Sequence, residues 1–210
     1  MRHRHLHVQW PLAASSGSSS AAAMSAQENK GAIIMAMILD FIRDSIRQQH
    51  EGWDKAIADL TPDQLHYRPS GHGNHIGFIA WHYVRTEDNL VQFIFRNRTP
   101  PVWLAGGYDQ TFGLPRTSQG TGLPPEEAAQ MRLPPVDQWL AYQRGVWQAT
   151  DAWLDAITEA DLERQVRVMP FGEITVMTAV RMPIVNHGFL HLGQVQHLRT
   201  LQSLRGDEGR

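Results

Sequence analysis

The stretch from Val185 to Arg199, VNHGFLHLGQVQHLR, sets three histidines inside what otherwise has the pattern of an amphipathic helix. At about 100° per residue, with His187 as origin, His191 falls near 40°, Val180 and Leu198 near 20° and Ile184 near 60°. Two imidazoles four positions apart therefore share the apolar face, an arrangement that lets both rings reach one metal ion. The alternative is that each ring is simply hydrogen-bonded within the core. His197 lies roughly 100° from the centre of the stripe and is expected at the surface.

Three more segments show the same periodicity. From Gly31 to about Leu60, residues such as Ile38, Ile42, Ile46, Trp53 and Ile57 recur at helical spacing. A second helix is expected from about His75 to Arg96, capped by Asn74 after the loop HYRPSGHGN, with Ile79, His82, Thr86, Asn89 and Phe93 on one face. Pro134–Pro135 opens a third helix through about Ile157, whose Trp139, Trp147 and Trp153 read as core. The fourth runs from about Thr175 to Leu204 and contains Pro183, which should bend it or remove a hydrogen bond just ahead of the histidines. Between Asn97 and Pro134 lies a long loop rich in proline and glycine, including WLAGGYDQTFGLP, in which only PPEEAAQM suggests a short helix. EADLERQVRVMPFGEI, before the last helix, reads as a connector with a short extended piece. The expected fold class is all-α, a four-helix bundle with a long loop between helices 2 and 3.

The 210 residues suit one domain, residues 31–210, preceded by a disordered N-terminal extension, residues 1–30, within which Met24 is a plausible natural start. The HRHLH run inside that extension resembles a purification tag and carries no functional weight. With 19 basic and 21 acidic side chains the chain has no field that would draw nucleic acid or an anionic membrane. The absence of cysteine excludes disulfides, thiolate nucleophiles and Cys-ligated metals. The longest apolar run, AIIMAMIL at Ala32–Leu39, falls far short of the ~20 residues that span a bilayer. A cytoplasmic protein with a small-molecule substrate is expected, and its tryptophan-rich helix faces suggest a homodimer.

His82 occupies the centre of the second helix's apolar face, between Phe78, Ile79, Thr86 and Phe93. Three buried imidazoles without a shared ion would each need a separate partner, and an unpaired buried polar group costs about 1–3 kcal/mol. One divalent cation held by His82, His187 and His191 satisfies all three and leaves a position open, the pattern of a catalytic site. Three imidazoles suit zinc, nickel, iron and copper alike, and binding should weaken below pH ~6.5 as protons compete. His75 lies ~10 Å from His82 along the helix, too far for the same ion, and could line the entrance. His50, His66 and His72 are expected in structural or solvated roles. Glu87 and Asp88 are expected at the helix surface or a subunit contact, the alternative being that one of them orients a neighbouring helix. Asn186, Gln194 and Thr86 are the polar groups placed to hold a histidine tautomer.

The phrases HIGFIAWHYVRTEDN (His75–Asn89) and VNHGFLHLGQVQHLR resemble the two signature segments of the DinB-like superfamily of metal-binding four-helix bundles. LTPDQLHYRPSGHGN, GYDQTFGLP and FGEITV extend the resemblance from about residue 31 to 204. It implies a metal triad of His82, His187 and His191, in agreement with the geometry above. It also implies relatives that are S-transferases and isomerases using low-molecular-weight thiols such as mycothiol or bacillithiol. The expectation is a metal-dependent S-transferase with a low-molecular-weight thiol cosubstrate, the Trp103–Pro115 loop helping to form the substrate pocket. The alternatives are a metal-activated hydrolase and a non-catalytic, metal-stabilised binding or stress-response module.

Overall fold

The four expected helices are present, and two of them are composite. The computed structural model describes residues 17–204 apart from His72. Helix α1 spans Gly17–Ile57, α2 Ile76–Asp88, α3 Val136–Ala156 and α4 His187–Leu201. A π-helical segment, Asn89–Phe95, continues α2, while Val176–Ala179 and the π-helical Val180–Asn186 lead into α4. The chain divides into two compact units, Met1–Asp40 and Phe41–Arg210, and the features below belong to the second. Helix α1 starts ahead of the expected Gly31, whereas residues 1–16 of the expected extension, with its HRHLH run, lie outside the described residues, as does His72. Among the described residues no helix is long and apolar enough to cross a membrane.

Both π-helical segments have consequences for the site. Phe93 would return to the face of His82 in a regular α-helix, but the i→i+5 winding turns it away, and it is 40% exposed. Pro183 lies inside the other segment, as its lack of an N–H would favour. The second helix begins at Ile76, not under Asn74. His75 is its N-cap, with its Nδ1 accepting from the Phe78 N–H at 3.0 Å. That buried role replaces the expected place at an entrance.

Aromatic residues fill the middle of the bundle: Trp53, Trp81, Tyr83, Trp139 and Tyr142 are all fully buried. Asp54 ties α1 to α3, accepting from Gln143 Nε2, Arg144 Nε and Trp147 Nε1 at 2.8, 2.7 and 3.1 Å. Arg199 of α4 grips Asp59 with both terminal nitrogens, at 2.6 and 2.9 Å. The long connection after α2 is more ordered than its composition suggests. It holds short helices at Val102–Ala105, Tyr108–Phe112 and the expected Pro125–Gln130. The connector before α4 contains helix Glu159–Glu163 and a hairpin of β1 (Gln165–Val168) and β2 (Gly172–Thr175), paired antiparallel with Val166 opposite Ile174.

Glu87 and Asp88 are not surface charges. Both are completely buried, because at this point α2 is enclosed on all sides and every residue from Tyr83 to Asp88 is buried. Glu87 lies 2.9 Å from His50 Nε2, 2.7 Å from the Thr150 hydroxyl and 2.6 Å from the Tyr83 hydroxyl. Burial pushes its carboxyl up, but His50 and the three hydrogen bonds outweigh that and hold its pKa below the usual range. Asp88 accepts from the backbone N–H groups of Val102 and Trp103 and from the Tyr142 hydroxyl, capping the short helix that follows. Burial wins there and raises its pKa. Asp88→Ala strips these donors of their acceptor and leaves Arg85, 2% exposed, without its carboxylate. The expected loss is about 3–5 kcal/mol of stability in urea or guanidinium unfolding, against well under 1 kcal/mol for a surface carboxylate.

Candidate metal centre

His82, His187 and His191 come together, and each ring is oriented by its Nδ1. The Nδ1 of His82 bonds to the backbone carbonyl of Gln119 at 2.5 Å, that of His187 to the carbonyl of Pro183 at 3.2 Å, and that of His191 to Gln194 Oε1 at 2.7 Å. An oxygen of these kinds only accepts, so the proton of each neutral ring sits on Nδ1 and the lone pair on Nε2. The three Nε2 atoms face one another, His187 standing 3.2 Å from His82 and 2.9 Å from His191. Three lone pairs at that distance with no hydrogen between them repel unless a cation lies among them. Two nitrogens about 2.1 Å from one tetrahedral ion stand about 3.4 Å apart, so the spacing fits a divalent metal. The three histidines can hold a metal ion, and among the described residues no fourth His, Cys, Asp or Glu joins their group.

The local sequence explains each orientation. In a regular helix the Pro183 carbonyl would accept from the His187 N–H. In the π-helical turn that N–H goes to Met182 and Ile184, and Pro183 bonds the imidazole of His187. Gln49 of α1 steadies the same turn, its Nε2 donating to the Val185 carbonyl at 3.0 Å. The side chain packs so closely that a Cβ at Gly188 would collide with its amide and with the Tyr83 ring. Gly120 performs a similar task for His82. It sits at φ +85°, where a Cβ would lie 2.8 Å from the Trp81 ring, and this close approach brings the Gln119 carbonyl to the imidazole.

A cavity of about 450 Å³ opens beside the cluster, with Phe78, Leu90, Gln119, Met169, Phe171 and Met182 among the residues around it. The loop contribution comes from Gln119–Pro125, not from the expected Trp103–Pro115. Trp103 is fully buried against Tyr142 and Phe112, so the tryptophan and its neighbours serve the core. Of the three side chains expected to fix tautomers, Gln194 does so. Thr86 donates to the backbone carbonyl of His82, and Asn186 makes no such bond to the rings. The carbonyls of Gln119 and Pro183 were not readable as side chains; the signals that point to them are the glycine after the first and the proline within a helix for the second.

The remaining histidines lie elsewhere. His50 is the buried partner of Glu87 and stacks on Trp147, with ring centroids 3.8 Å apart. His66 bonds the Pro62 carbonyl through Nδ1 and accepts from the Leu133 N–H through Nε2. His197 is exposed, as the helical phase requires.

Residues 45–195 match the sequence model of the DinB superfamily, and the chain belongs to that family. A conserved protein of Enterococcus faecalis, known from its crystal structure, has the same fold at a TM-score of 0.67 and 20% identity, over 77% of this chain and 95% of that one. No curated protein matches the sequence.

Burial depresses the pKa of all three cluster histidines. His187 is pushed down to about 4, by burial first and then by His191 and His82 beside it. His75 is also lowered to about 4, by burial and then by His66 and Arg132. In the unfolded chain these rings take up protons below about pH 6.5. Between 6.5 and about 4 the unfolded state thus binds more protons, and stability present above that window is lost as the pH falls through it. The urea midpoint of metal-free protein should decline steadily from pH 7 to 4.5. A level midpoint would show that the rings are not held neutral.

Proposed function

We propose that His82, His187 and His191 hold one divalent metal ion and that the protein is a metal-dependent transferase, joining the sulfur of a low-molecular-weight thiol to a small electrophilic substrate. The observation that carries this proposal is the convergence of three lone pairs at the wall of a cavity large enough for a small molecule. When bound there, a divalent ion supplies a Lewis acid that lowers the pKa of a thiol or a water.

The chain's own residues supply the rest. The Gln119 and Pro183 carbonyls and Gln194 Oε1 keep each ring in the tautomer that ligates, and burial lowers the pKa of all three rings, that of His187 to about 4, which moves proton competition below the pH ~6.5 expected of free imidazoles. The apolar walls limit water around the reacting atoms. The chain has no cysteine, so the nucleophilic sulfur arrives with the cosubstrate: the thiol gives its proton to solvent water, its sulfur bonds the electrophilic carbon, and the carbon's bond to the leaving group breaks, the leaving group departing with that electron pair.

Elemental analysis of metal-loaded protein lacking residues 1–23 should give one metal per chain, and His187→Ala should abolish it. Incubation with a low-molecular-weight thiol and an electrophile, followed by mass spectrometry, should yield a conjugate that a chelator suppresses. Failure with mycothiol, bacillithiol and other common bacterial thiols would refute the transferase, and metal-dependent turnover without thiol would make the protein a hydrolase. Gly120→Ala pushes the Gln119 carbonyl away from His82 and should weaken metal binding by about 10–100-fold in a competition titration, with the helical circular dichroism unchanged.

A further inference from the structure

The histidines form one wall of the cavity; the other walls decide what reaches them. Among its described lining residues there is no Asp, Glu, Lys or Arg. Two of the polar neighbours are already engaged. The Thr86 hydroxyl donates to the His82 backbone carbonyl at 2.7 Å. Gln119 gives its carbonyl to the His82 ring, while its side-chain oxygen faces Asn89 Nδ2 at 3.5 Å. Carbon surface from Phe78, Ile79, Leu90, Val168 and Met182 makes up much of the remainder. A carboxylate, phosphate or ammonium entering here would exchange water for hydrocarbon and find no opposite side-chain charge, a far larger penalty than for an uncharged group of the same size.

The hairpin adds an independent observation. Its turn brings Met169, Pro170 and Phe171 to the cavity, with Met169 72% and Phe171 42% exposed. Exposed turns usually carry Gly, Asn, Asp or Ser. Three consecutive residues with apolar side chains at this position present a carbon surface that an apolar ligand would cover. Met169 and Met182, from separate elements, are flexible and polarizable and adapt to groups of different outline.

We infer that this cavity binds an uncharged, apolar small molecule, aromatic or aliphatic, against its hydrocarbon walls, and rejects molecules that would set a carboxylate, phosphate or ammonium against those walls, away from the histidines. The inference rests on the proposed function only in taking the histidine wall as the reactive end. Charged parts of a cosubstrate remain outside the cavity.

Three probes on one ring system test it: 2-acetonaphthone, which is neutral, 2-naphthoate, an anion, and 2-naphthylmethylamine, a cation at pH 7.5. Each is titrated calorimetrically into the chelator-treated full chain, so that the walls and not an ion are read. The ketone should bind at least tenfold more tightly than either ion and should shift the ¹³C-methyl resonances of Met169 and Met182. Phe171→Arg, at an exposed position, should raise naphthoate affinity several-fold. Equal affinities, tighter binding of an ion, no binding of the ketone, or unmoved methyl resonances would each overturn the inference. A chain that shows the preference yet forms no thiol conjugate after metal loading would retain the pocket assignment and lose the transferase.

Discussion

Three imidazoles whose Nδ1 protons are all committed to oxygen acceptors have no choice but to turn their lone pairs on one another. That constraint governs the second unit of this protein. The acceptors come from three different places: the backbone of the loop after α2, the backbone of a π-helical turn, and a side chain one turn along α4. Burial then removes the simplest relief, protonation, by driving the imidazole pKa values down. What remains is a neutral nitrogen cluster whose unfavourable contacts a metal ion would reverse.

Such a cluster needs a stiff frame, and the two buried carboxylates following His82 provide it. Glu87 meets His50 of α1 and Thr150 of α3, while Asp88 meets Tyr142 of α3 and the N-terminus of the helix Val102–Ala105. A carboxylate in a dry interior is tolerable only when its oxygens are satisfied, so rotating α2 by even part of a turn would leave both groups stranded. These bonds act on orientation: they fix the phase of the helix that carries His82 relative to its neighbours.

The two π-helical segments address a related geometric problem. One frees the Pro183 carbonyl from its usual backbone donor, and the other turns Phe93 away from the site after α2 has delivered its histidine. The hairpin and the Gln119–Pro125 stretch then wall in the space beside the cluster. Family membership and the shared fold with the Enterococcus faecalis protein account for the scaffold. One scaffold supports many reactions, so the chemistry has to be argued from the cavity and the cluster.

The sequence alone determined a good deal. Helical periodicity located all four rods, and the i, i+4 pairing of His187 and His191 with His82 at the centre of another apolar face identified the cluster, because repeating side-chain phase is a local property. His197 was assigned to the surface by the same rule. Tertiary structure decided what periodicity cannot encode. Glu87 and Asp88 look like ordinary helix-surface charges until three neighbouring elements enclose them, and burial depends on what the rest of the chain brings alongside. The carbonyls of Gln119 and Pro183 have no side-chain signature, only the indirect marks of Gly120 and of a proline within a helix, since every residue carries a carbonyl and only its position relative to a distant ring makes it a tautomer anchor. The cavity wall shifted from Trp103–Pro115 to Gln119–Pro125 for a comparable reason: composition marks a loop, whereas the packing of Trp103 against Tyr142 decides which part of that loop is consumed by the core.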